Sequence, residues 1–208
     1  MLNGQMRIGI YGGTFGPVHN GHIAAAKAFF EQMHLDLLYV IPAGIPPHKQ
    51  IDASDDPQHR LHMCELAFAG MKGVIVSDME IMREGRSYTV DTLRALWGED
   101  RRLFLLMGTD MMLTLDTWRE SDEIFRLCYP VYMRRESDPI LENRIVEKNT
   151  QYYAKYGKVA RRLIGDVIEL SSSEVRERIQ SGIGIEDVVP PVVARYIAEH
   201  GLYARGEA

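Results

Sequence analysis

The stretch Gly12-Gly13-Thr14-Phe15-Gly16-Pro17-Val18-His19-Asn20-Gly21-His22 decides the expected fold of this 208-residue chain. A β-rich run, residues 7–11, leads directly into the stretch, and a helical pattern begins at Ile23. Between a strand and a helix, glycines let a ligand approach the main chain, and the free N–H groups at the helix start attract an anion. The stretch therefore predicts a phosphate-binding loop.

The rest of the chain repeats the alternation of β-rich runs and helical patterns. Most of the runs are apolar at every position, which is typical of a parallel sheet covered by helices on both faces. We therefore predict one α/β domain over residues 1–208, a doubly wound parallel sheet of Rossmann type whose ligands bind outside the carboxyl ends of the strands. The mostly polar segment at about 136–160 is interpreted as a peripheral helical insertion. The predicted strands are residues 7–11, 37–42, 74–77, 103–107, 129–133 and 167–170.

Composition excludes several classes of protein. With 46 % hydrophobic and 25 % charged residues and a net charge of -5, the chain is unsuited to coating nucleic acid. The distant cysteines Cys64 and Cys128 predict neither a disulfide framework nor a metal knuckle. No apolar run approaches the ~20 residues needed to cross a bilayer. We expect a cytoplasmic protein without nucleic-acid or membrane partners.

His19 and His22 are the candidate phosphate ligands within the loop. Three residues apart at a helix start, both rings can supply donors to one phosphate. The stretch is neither GxGxxG nor GxxxxGK[ST], since two histidines stand in place of the lysine. Two alternatives remain: a pair of partly buried histidines bonded to the turn, and a zinc pair, for which no companion with ligand spacing lies nearby.

A second candidate phosphate segment lies late in the chain, at Leu170-Ser171-Ser172-Ser173-Glu174-Val175-Arg176. Either Ser171 or Ser173 can cap the helix that follows. Arg176 places a cation against the positive end of that helix, which is unfavourable unless a phosphate lies there. The alternative is an exposed arginine on a serine-capped helix.

The two segments resemble the HxGH and ISSTxxR-like motifs of the nucleotidylyltransferase superfamily. Three further stretches make the whole chain similar to bacterial nicotinate-nucleotide adenylyltransferases: IPAGIPPHK at residues 41–49, RSYTVDTL at 86–93, and Gly108-Thr109-Asp110 followed by Leu115 and Trp118. Two departures are Gly16, where the family usually has aspartate, and the serine triplet in place of ISST or ISAT.

The resemblance implies adenylyl transfer from ATP to nicotinate mononucleotide, with Mg²⁺ entering on ATP and no metal ligand assigned to the protein. The pyridine ring would stack on Trp118, and its carboxylate would meet the Thr89 hydroxyl and the amides of Val90 and Arg119. The implied catalytic residues are His19, His22, Lys49 and Arg176. The implied ATP-binding residues are Gly12, Gly13, Thr14, Phe15, His19, His22, Arg134, Ser172, Ser173 and Arg176. The implied acceptor-binding residues are Lys49, Thr89, Val90, Gly108, Asp110, Trp118 and Arg119.

Alternatives remain for individual residues and for the activity. Asp110 is interpreted as a ribose ligand or as a helix N-cap, and Trp118 as a stacking platform or a core residue. His59 and His62 also have HxxH spacing but no flanking glycines, and are interpreted as surface or packing residues. The alternative activities are nicotinamide-mononucleotide adenylyltransferase, phosphopantetheine adenylyltransferase and a non-catalytic nucleotide sensor. The oligomeric state, monomer or homo-oligomer, is left open.

Overall fold

The computed structural model describes residues 4–46, 56–134, 139–165 and 170–204. The strands in these ranges are β1 (Met6–Gly13), β2 (Leu37–Pro42), β3 (Val74–Val76), β4 (Arg101–Gly108), β5 (Cys128–Met133) and β6 (Arg161–Arg162). The helices are α1 (Asn20–Gln32), α2 (Pro57–Phe68), α3 (Thr89–Leu96), α4 (Thr109–Thr114), α5 (Ser121–Leu127), α6 (Pro139–Tyr156), α7 (Ser172–Gln180) and α8 (Pro191–Glu199), with a 3-10 turn at Leu115–Thr117.

The described strands form one parallel sheet in the order β3-β2-β1-β4-β5-β6. In the centre, Ile8 of β1 lies opposite Leu37 of β2 on one side and Leu103 of β4 on the other. The strand order reverses between β1 and β4, which opens a crevice at their carboxyl ends. The predicted doubly wound α/β fold is confirmed.

The ends of several elements differ from the predicted ones. Strand β1 continues through Gly12 and Gly13, which pair with Ile41 and Pro42, so the loop begins only at Thr14. Helix α1 begins at Asn20, three residues before the predicted start at Ile23. Strand β3 stops at Val76, one residue early. Gly12 and Gly13 therefore form the carboxyl end of strand β1.

The predicted sixth strand, residues 167–170, falls mostly outside the described residues. Residues 167–169 are not described, and Leu170 lies just before the cap of α7 rather than in a strand. Among the described residues, β5 pairs on its outer side with Arg161–Arg162, which lie opposite Val131 and Tyr132. A strand of two exposed arginines carries no apolar pattern, so periodicity does not predict it.

The core has two layers, one on each face of the sheet. One layer packs α1, α2, α7 and α8 against the sheet, with Phe29 and Val175 fully buried. The other packs α3, α4, α5 and α6, with Leu93 and Phe125 buried. Burial of apolar area on both faces is the main stabilising term in such a fold.

Helix α6 occupies most of the segment at 136–160 and contributes to the second layer. Ile145 and Tyr152 of this helix are buried. The Tyr152 hydroxyl donates a hydrogen bond of 2.6 Å to the carbonyl oxygen of Met112 in α4. The helix therefore supports the segment that runs from α4 to Trp118. No helix in the described ranges is both long enough and apolar enough to cross a membrane.

Candidate functional site

A cleft of about 820 Å³ opens at the carboxyl ends of the central strands. Four of the segments that line it are the glycine-rich loop, the Ser-Tyr-Thr segment (residues 87–89), the Trp118 segment (residues 118–119) and the start of α7. The sequence-predicted residues that line it are Gly12, Gly13, Thr14, Phe15, His19, His22, Thr89, Gly108, Asp110, Trp118, Arg119, Arg134, Ser172, Ser173 and Arg176. Segments far apart in sequence therefore share one cavity within the size range of small-molecule binding sites.

The glycine-rich loop is held in an unusual backbone conformation. Phe15 is buried and has a φ of 52°, in the left-handed region that non-glycine residues rarely adopt. Its ring lies so close to Gly13 that a Cβ there would be 3.1 Å from the ring. The ring also packs edge-on against Tyr11, with centroids 5.3 Å apart. The Phe15 ring thus fixes the loop, and Gly13 leaves the room for it.

The two histidines of the loop lie side by side at the start of α1. His19 is the N-cap residue, and its ring stacks on that of His22 with centroids 3.7 Å apart. The backbone N–H of His19 donates to Nδ1 of His22 at 3.2 Å. Because Nδ1 accepts this bond, the proton of a neutral His22 ring resides on Nε2, which leaves Nε2–H as a donor. Both rings are buried side chains that line the cleft.

The start of α7 is bonded directly to the glycine-rich loop. Ser171 caps the helix by accepting the Glu174 N–H at 3.1 Å, which decides between the two predicted caps. Ser172 Oγ donates to the Pro17 carbonyl at 3.0 Å, and Arg176 Nη1 donates to the Gly16 carbonyl at 2.6 Å. Arg176 Nη2 also donates to Ser173 Oγ at 3.0 Å. The structure therefore brings the early and late phosphate segments together.

Arg60 is a buried support of the loop that sequence analysis missed. It lies on α2 with no exposed surface, and its guanidinium donates to the carbonyl oxygens of Thr14 (2.9 Å), Ala43 (2.6 Å) and Gly44 (3.1 Å). It thus ties the glycine-rich loop to the segment that leaves β2. An arginine in a polar helical pattern is ordinarily exposed, so nothing in the local sequence indicates that Arg60 is buried.

The neighbouring histidines of α2 have other surroundings. His59 Nδ1 lies 2.7 Å from the Tyr196 hydroxyl, and the His62 side chain is about half exposed beside Glu65. Neither histidine lines the cleft described above. HxxH spacing alone therefore does not identify a phosphate site in this chain.

The predicted acceptor side lies at the start of α3. Tyr88 is the N-cap residue and makes no side-chain capping bond, and Thr89 begins the helix and lines the cleft. Val90 follows with its side chain fully buried in the core, so only its backbone could contact a ligand. The first-turn N–H groups of a helix have no intrahelical acceptor, which favours an anion at this point.

The Trp118 segment faces the same helix start. Trp118 is half-buried and lines the cleft, which favours the stacking interpretation over a plain core role. The Arg119 guanidinium lies over the Tyr88 ring, 4.5 Å from its centroid. Arg94 of α3 also forms an ion pair with Glu120. These contacts bring the two predicted acceptor-binding segments side by side.

Two other predicted residues, Asp110 and Arg134, follow the ends of β4 and β5. Gly108, not Asp110, is the N-cap of α4, and Asp110 is an exposed first-turn residue at the cleft. The N-cap interpretation of Asp110 is therefore wrong, because the chain turns into the helix two residues earlier. Arg134 follows β5, is buried, and pairs with Glu142 of α6 while lining the cleft. Its neighbour Arg135 lies outside the described residues, as does Lys49.

Two buried polar residues of the cleft were not singled out from the sequence. Glu80 and Ser87 both line it, with only 7 % and 5 % of their surface exposed. Tyr203, near the end of the described chain, also contributes to the lining. Within the described ranges, no group of three or more histidine, cysteine or acidic side chains could hold a metal ion.

Comparisons with known proteins agree with this geometry. A family model described as cytidylyltransferase-like matches residues 10–178. A relative from Thermoanaerobacter sp. strain X514, named probable nicotinate-nucleotide adenylyltransferase, is 36 % identical over 206 residues, covering 98 % of this chain and 97 % of the relative. A relative of the same name from Synechococcus sp. strain JA-3-3Ab is 39 % identical over 201 residues, covering 96 % and 95 %.

Solved structures show the same fold. The chain aligns with the Plasmodium falciparum nicotinic acid mononucleotide adenylyltransferase complexed with NaAD at a TM-score of 0.74 and 18 % identity, covering 95 % of this chain and 97 % of that one. At this identity the likeness establishes the fold alone. The family model and the full-length relatives go further: the chain belongs to the nicotinate-nucleotide adenylyltransferases of the cytidylyltransferase-like family.

Proposed function

We propose that this protein transfers the adenylyl group of ATP to nicotinate mononucleotide, forming nicotinate adenine dinucleotide and pyrophosphate in NAD biosynthesis. The observation that carries the proposal is the single cleft in which His19, His22 and Arg176 face the uncapped start of α3 and Trp118. One end offers donors to phosphates, and the other offers a ring face and an anion site. The full-length relatives carry the corresponding name.

The proposed reaction is a direct displacement at phosphorus. A phosphate oxygen of nicotinate mononucleotide attacks the α-phosphorus of ATP, and the bond from that phosphorus to the oxygen bridging to the β-phosphorus breaks. The electron pair of that bond leaves with pyrophosphate. No protein nucleophile is required, so the work of the protein is to hold two anions in line and to stabilise the charge that develops.

His19, His22, Lys49 and Arg176 are the proposed catalytic residues. The Nε2–H of His22 and the Arg176 guanidinium are donors already held by bonds to the loop, so their orientation costs little when ATP binds. Gly12 and Gly13 at the end of β1, with Thr14 and Phe15 of the loop, supply the backbone on which we place the phosphates. Ser172, Ser173 and Arg134 complete the proposed ATP side.

The acid subsite combines a ring face with donors to a carboxylate. We place the pyridine ring on Trp118 and its carboxylate at the Thr89 hydroxyl and the amides of Val90 and Arg119, with Gly108 and Asp110 towards the ribose. The start of α3 has no side-chain cap, so the N–H groups of its first residues can donate to such a carboxylate. A carboxamide carries no charge and would gain less there, which favours the acid.

The chemistry of the cleft also bears on Mg²⁺. The imidazole, guanidinium and hydroxyl groups at its phosphate end are donors to phosphate oxygens rather than ligands for a hard cation. These residues fit a metal that enters on the phosphates of ATP and keeps most of its own water. When bound, Mg²⁺ would neutralise phosphate charge.

The two described thiols are free and buried, in keeping with a proposed cytoplasmic location.

One experiment tests the activity. Pyrophosphate release from Mg²⁺-ATP is measured with nicotinate mononucleotide, nicotinamide mononucleotide, 4′-phosphopantetheine or no acceptor. We expect turnover with nicotinate mononucleotide and a kcat/KM at least about tenfold lower with the amide, because the charged contact is lost. Equal or greater turnover with either other acceptor contradicts the proposal. ATP binding without pyrophosphate release with any acceptor would instead indicate a sensor.

A further inference from the structure

Glu80 is a buried carboxyl group that lines the cleft but has no part in the reaction described above. It follows β3, and only 7 % of its surface is exposed. Burial raises the pKa of this carboxyl group, opposed by hydrogen bonds from Thr92 and Ser87 and by the charge of Arg83. Placing a carboxylate in such surroundings is unfavourable unless its oxygen atoms accept several hydrogen bonds. The groups that donate those bonds therefore indicate what Glu80 does.

The donors lie on both sides of the start of α3. Thr92 Oγ1, in the second turn, donates to Glu80 Oε1 at 2.6 Å, and the Ser87 side chain, just before the helix, also lowers the pKa of the Glu80 carboxyl group. Arg83 Nη1 donates to the same Thr92 hydroxyl at 3.2 Å. Glu80 and Arg83 therefore both hold Thr92, two residues after Val90.

A second segment, which leaves β2, is bonded to Ser87 and packs on the main chain of Glu80. The Ser87 hydroxyl oxygen accepts the backbone N–H of Gly44 at 3.0 Å. Ser87 N–H in turn donates to the Ile45 carbonyl at 2.8 Å. Gly44 packs directly on the main chain of Glu80, where a Cβ would lie 2.5 Å from the Glu80 carbonyl oxygen. The segment leaving β2 is thus bonded to the segment that starts α3.

We propose that Glu80 is a positioning residue for the acid subsite. Its carboxylate holds the Thr92 hydroxyl of α3 while its main chain packs on Gly44, and Glu80 thereby holds the start of α3 against residues 43–46. This places Thr89 and the Val90 amide where the carboxylate of the acceptor binds. Glu80 itself does not touch the substrate. The inference rests on the proposed function, since it assigns Glu80 to the acceptor rather than to ATP.

The test separates the two substrates kinetically. Glu80→Gln keeps the size of the side chain but replaces one acceptor oxygen with a donor, and Thr92→Val removes one of the hydroxyl donors while keeping the shape. For each variant we expect KM for nicotinate mononucleotide to rise about five- to tenfold, whereas KM for ATP stays within about twofold. The double variant should be little worse than either single one, because both changes break the same bond. Glu84→Gln, an exposed glutamate in the same segment, is the matched control and should leave both constants unchanged.

Equilibrium binding gives a second readout that does not depend on turnover. Quenching of tryptophan fluorescence by nicotinate mononucleotide should weaken in Glu80→Gln and Thr92→Val by the same factor as KM. If Glu80→Gln does not fold, Thr92→Val and Ser87→Ala carry the test. An unchanged KM for the acceptor in folded variants, or an equal rise in both KM values, overturns the role of Glu80 alone. Wild-type protein that releases no pyrophosphate with nicotinate mononucleotide overturns the proposed function and this inference together.

Discussion

Arg176 donates a hydrogen bond of 2.6 Å to the carbonyl oxygen of Gly16, across 160 residues of sequence. Together with the bond from Ser172 to the Pro17 carbonyl at 3.0 Å, it joins the start of α7 to the glycine-rich loop. The main-chain carbonyl of Gly16 therefore holds the Arg176 guanidinium at the end of the cleft where we propose that phosphates bind. Such preorganisation lowers the cost of orienting the group during the reaction.

Replacing either loop histidine should reduce turnover without unfolding the protein. We expect His19→Ala or His22→Ala to lower kcat about 10²-fold or more, since each removes one donor held towards the phosphates. Steady-state pyrophosphate release measures the effect, and circular dichroism checks the fold. His62→Ala removes a half-exposed histidine of the other HxxH pair and should have wild-type kcat. Wild-type turnover in folded His22→Ala contradicts the assigned role.

Arg176 and Arg178 form a matched pair on one helix. Arg176→Ala should lower kcat/KM for ATP about 10²-fold, because it removes both a phosphate donor and the bond to Gly16. Arg178 instead pairs with Asp187 at 2.9 Å on the surface, where ion pairs contribute little, so Arg178→Ala should keep the wild-type value. Equal losses in the two variants would show that the helix, rather than the Arg176 guanidinium, is responsible.

The two tryptophans separate stacking from general packing. Trp118→Ala should raise KM for nicotinate mononucleotide about tenfold, the loss expected for one aromatic stacking contact, with KM for ATP little changed. Trp118→Phe retains a ring face and should lose less. Trp97 is 45 % exposed and outside the cleft, so Trp97→Ala serves as the control. A KM for the acceptor that does not change in Trp118→Ala argues against stacking.

Removal of the Arg60 side-chain donors should affect both stability and activity. Arg60→Met leaves the carbonyls of Thr14, Ala43 and Gly44 without their guanidinium donor in a buried site. We expect the free energy of unfolding to fall by roughly 3 kcal/mol, about one per carbonyl, as measured by urea denaturation. Arg195→Met, at an exposed position of α8, should change it by less than about 0.5 kcal/mol. A stable, fully active Arg60→Met protein would refute the supporting role.

The thiols should be inert in the native protein. Cys64 and Cys128 are buried, and burial raises the pKa of Cys128 from 9.0 to about 12 and that of Cys64 as well. We therefore expect no reaction with a disulfide reagent at pH 8 until urea unfolds the chain. Because the unfolded chain loses these protons near pH 9 and the folded one keeps them, stability should also fall as pH rises between about 9 and 12. Rapid labelling of the native protein contradicts this.

The fold was predictable because its signals are local. Apolar runs identified β1, β2, β4 and β5, and the glycines placed the loop at the end of β1. The predicted end of β1 falls two residues before the observed one, because Gly12 and Gly13 favour loops by propensity yet pair with β2 here. The two-residue strand β6 has no pattern of its own and exists only through its pairing with β5.

The site was predictable where chemistry and spacing coincide. His19, His22 and Arg176 stood out because glycines or serines surround them, and the structure places all three at one cleft. Arg60 and Glu80 did not stand out, because a charged residue in a helix or loop ordinarily lies in solvent. Their burial depends on contacts with main-chain segments distant in sequence, and no local pattern records such contacts.

The hydrogen bond from Tyr152 to Met112 bears on how far the chain can be shortened. The sequence of α6 is mostly polar and predicts a peripheral insertion. Its Tyr152 nevertheless holds Met112, which lies six residues before Trp118, the proposed stacking residue. Lys148 adds a second tie, to Asp116 at 2.9 Å. Because Glu142 of the same helix pairs with Arg134, a shortened chain without α6 should lose support on both the proposed acceptor side and the proposed ATP side.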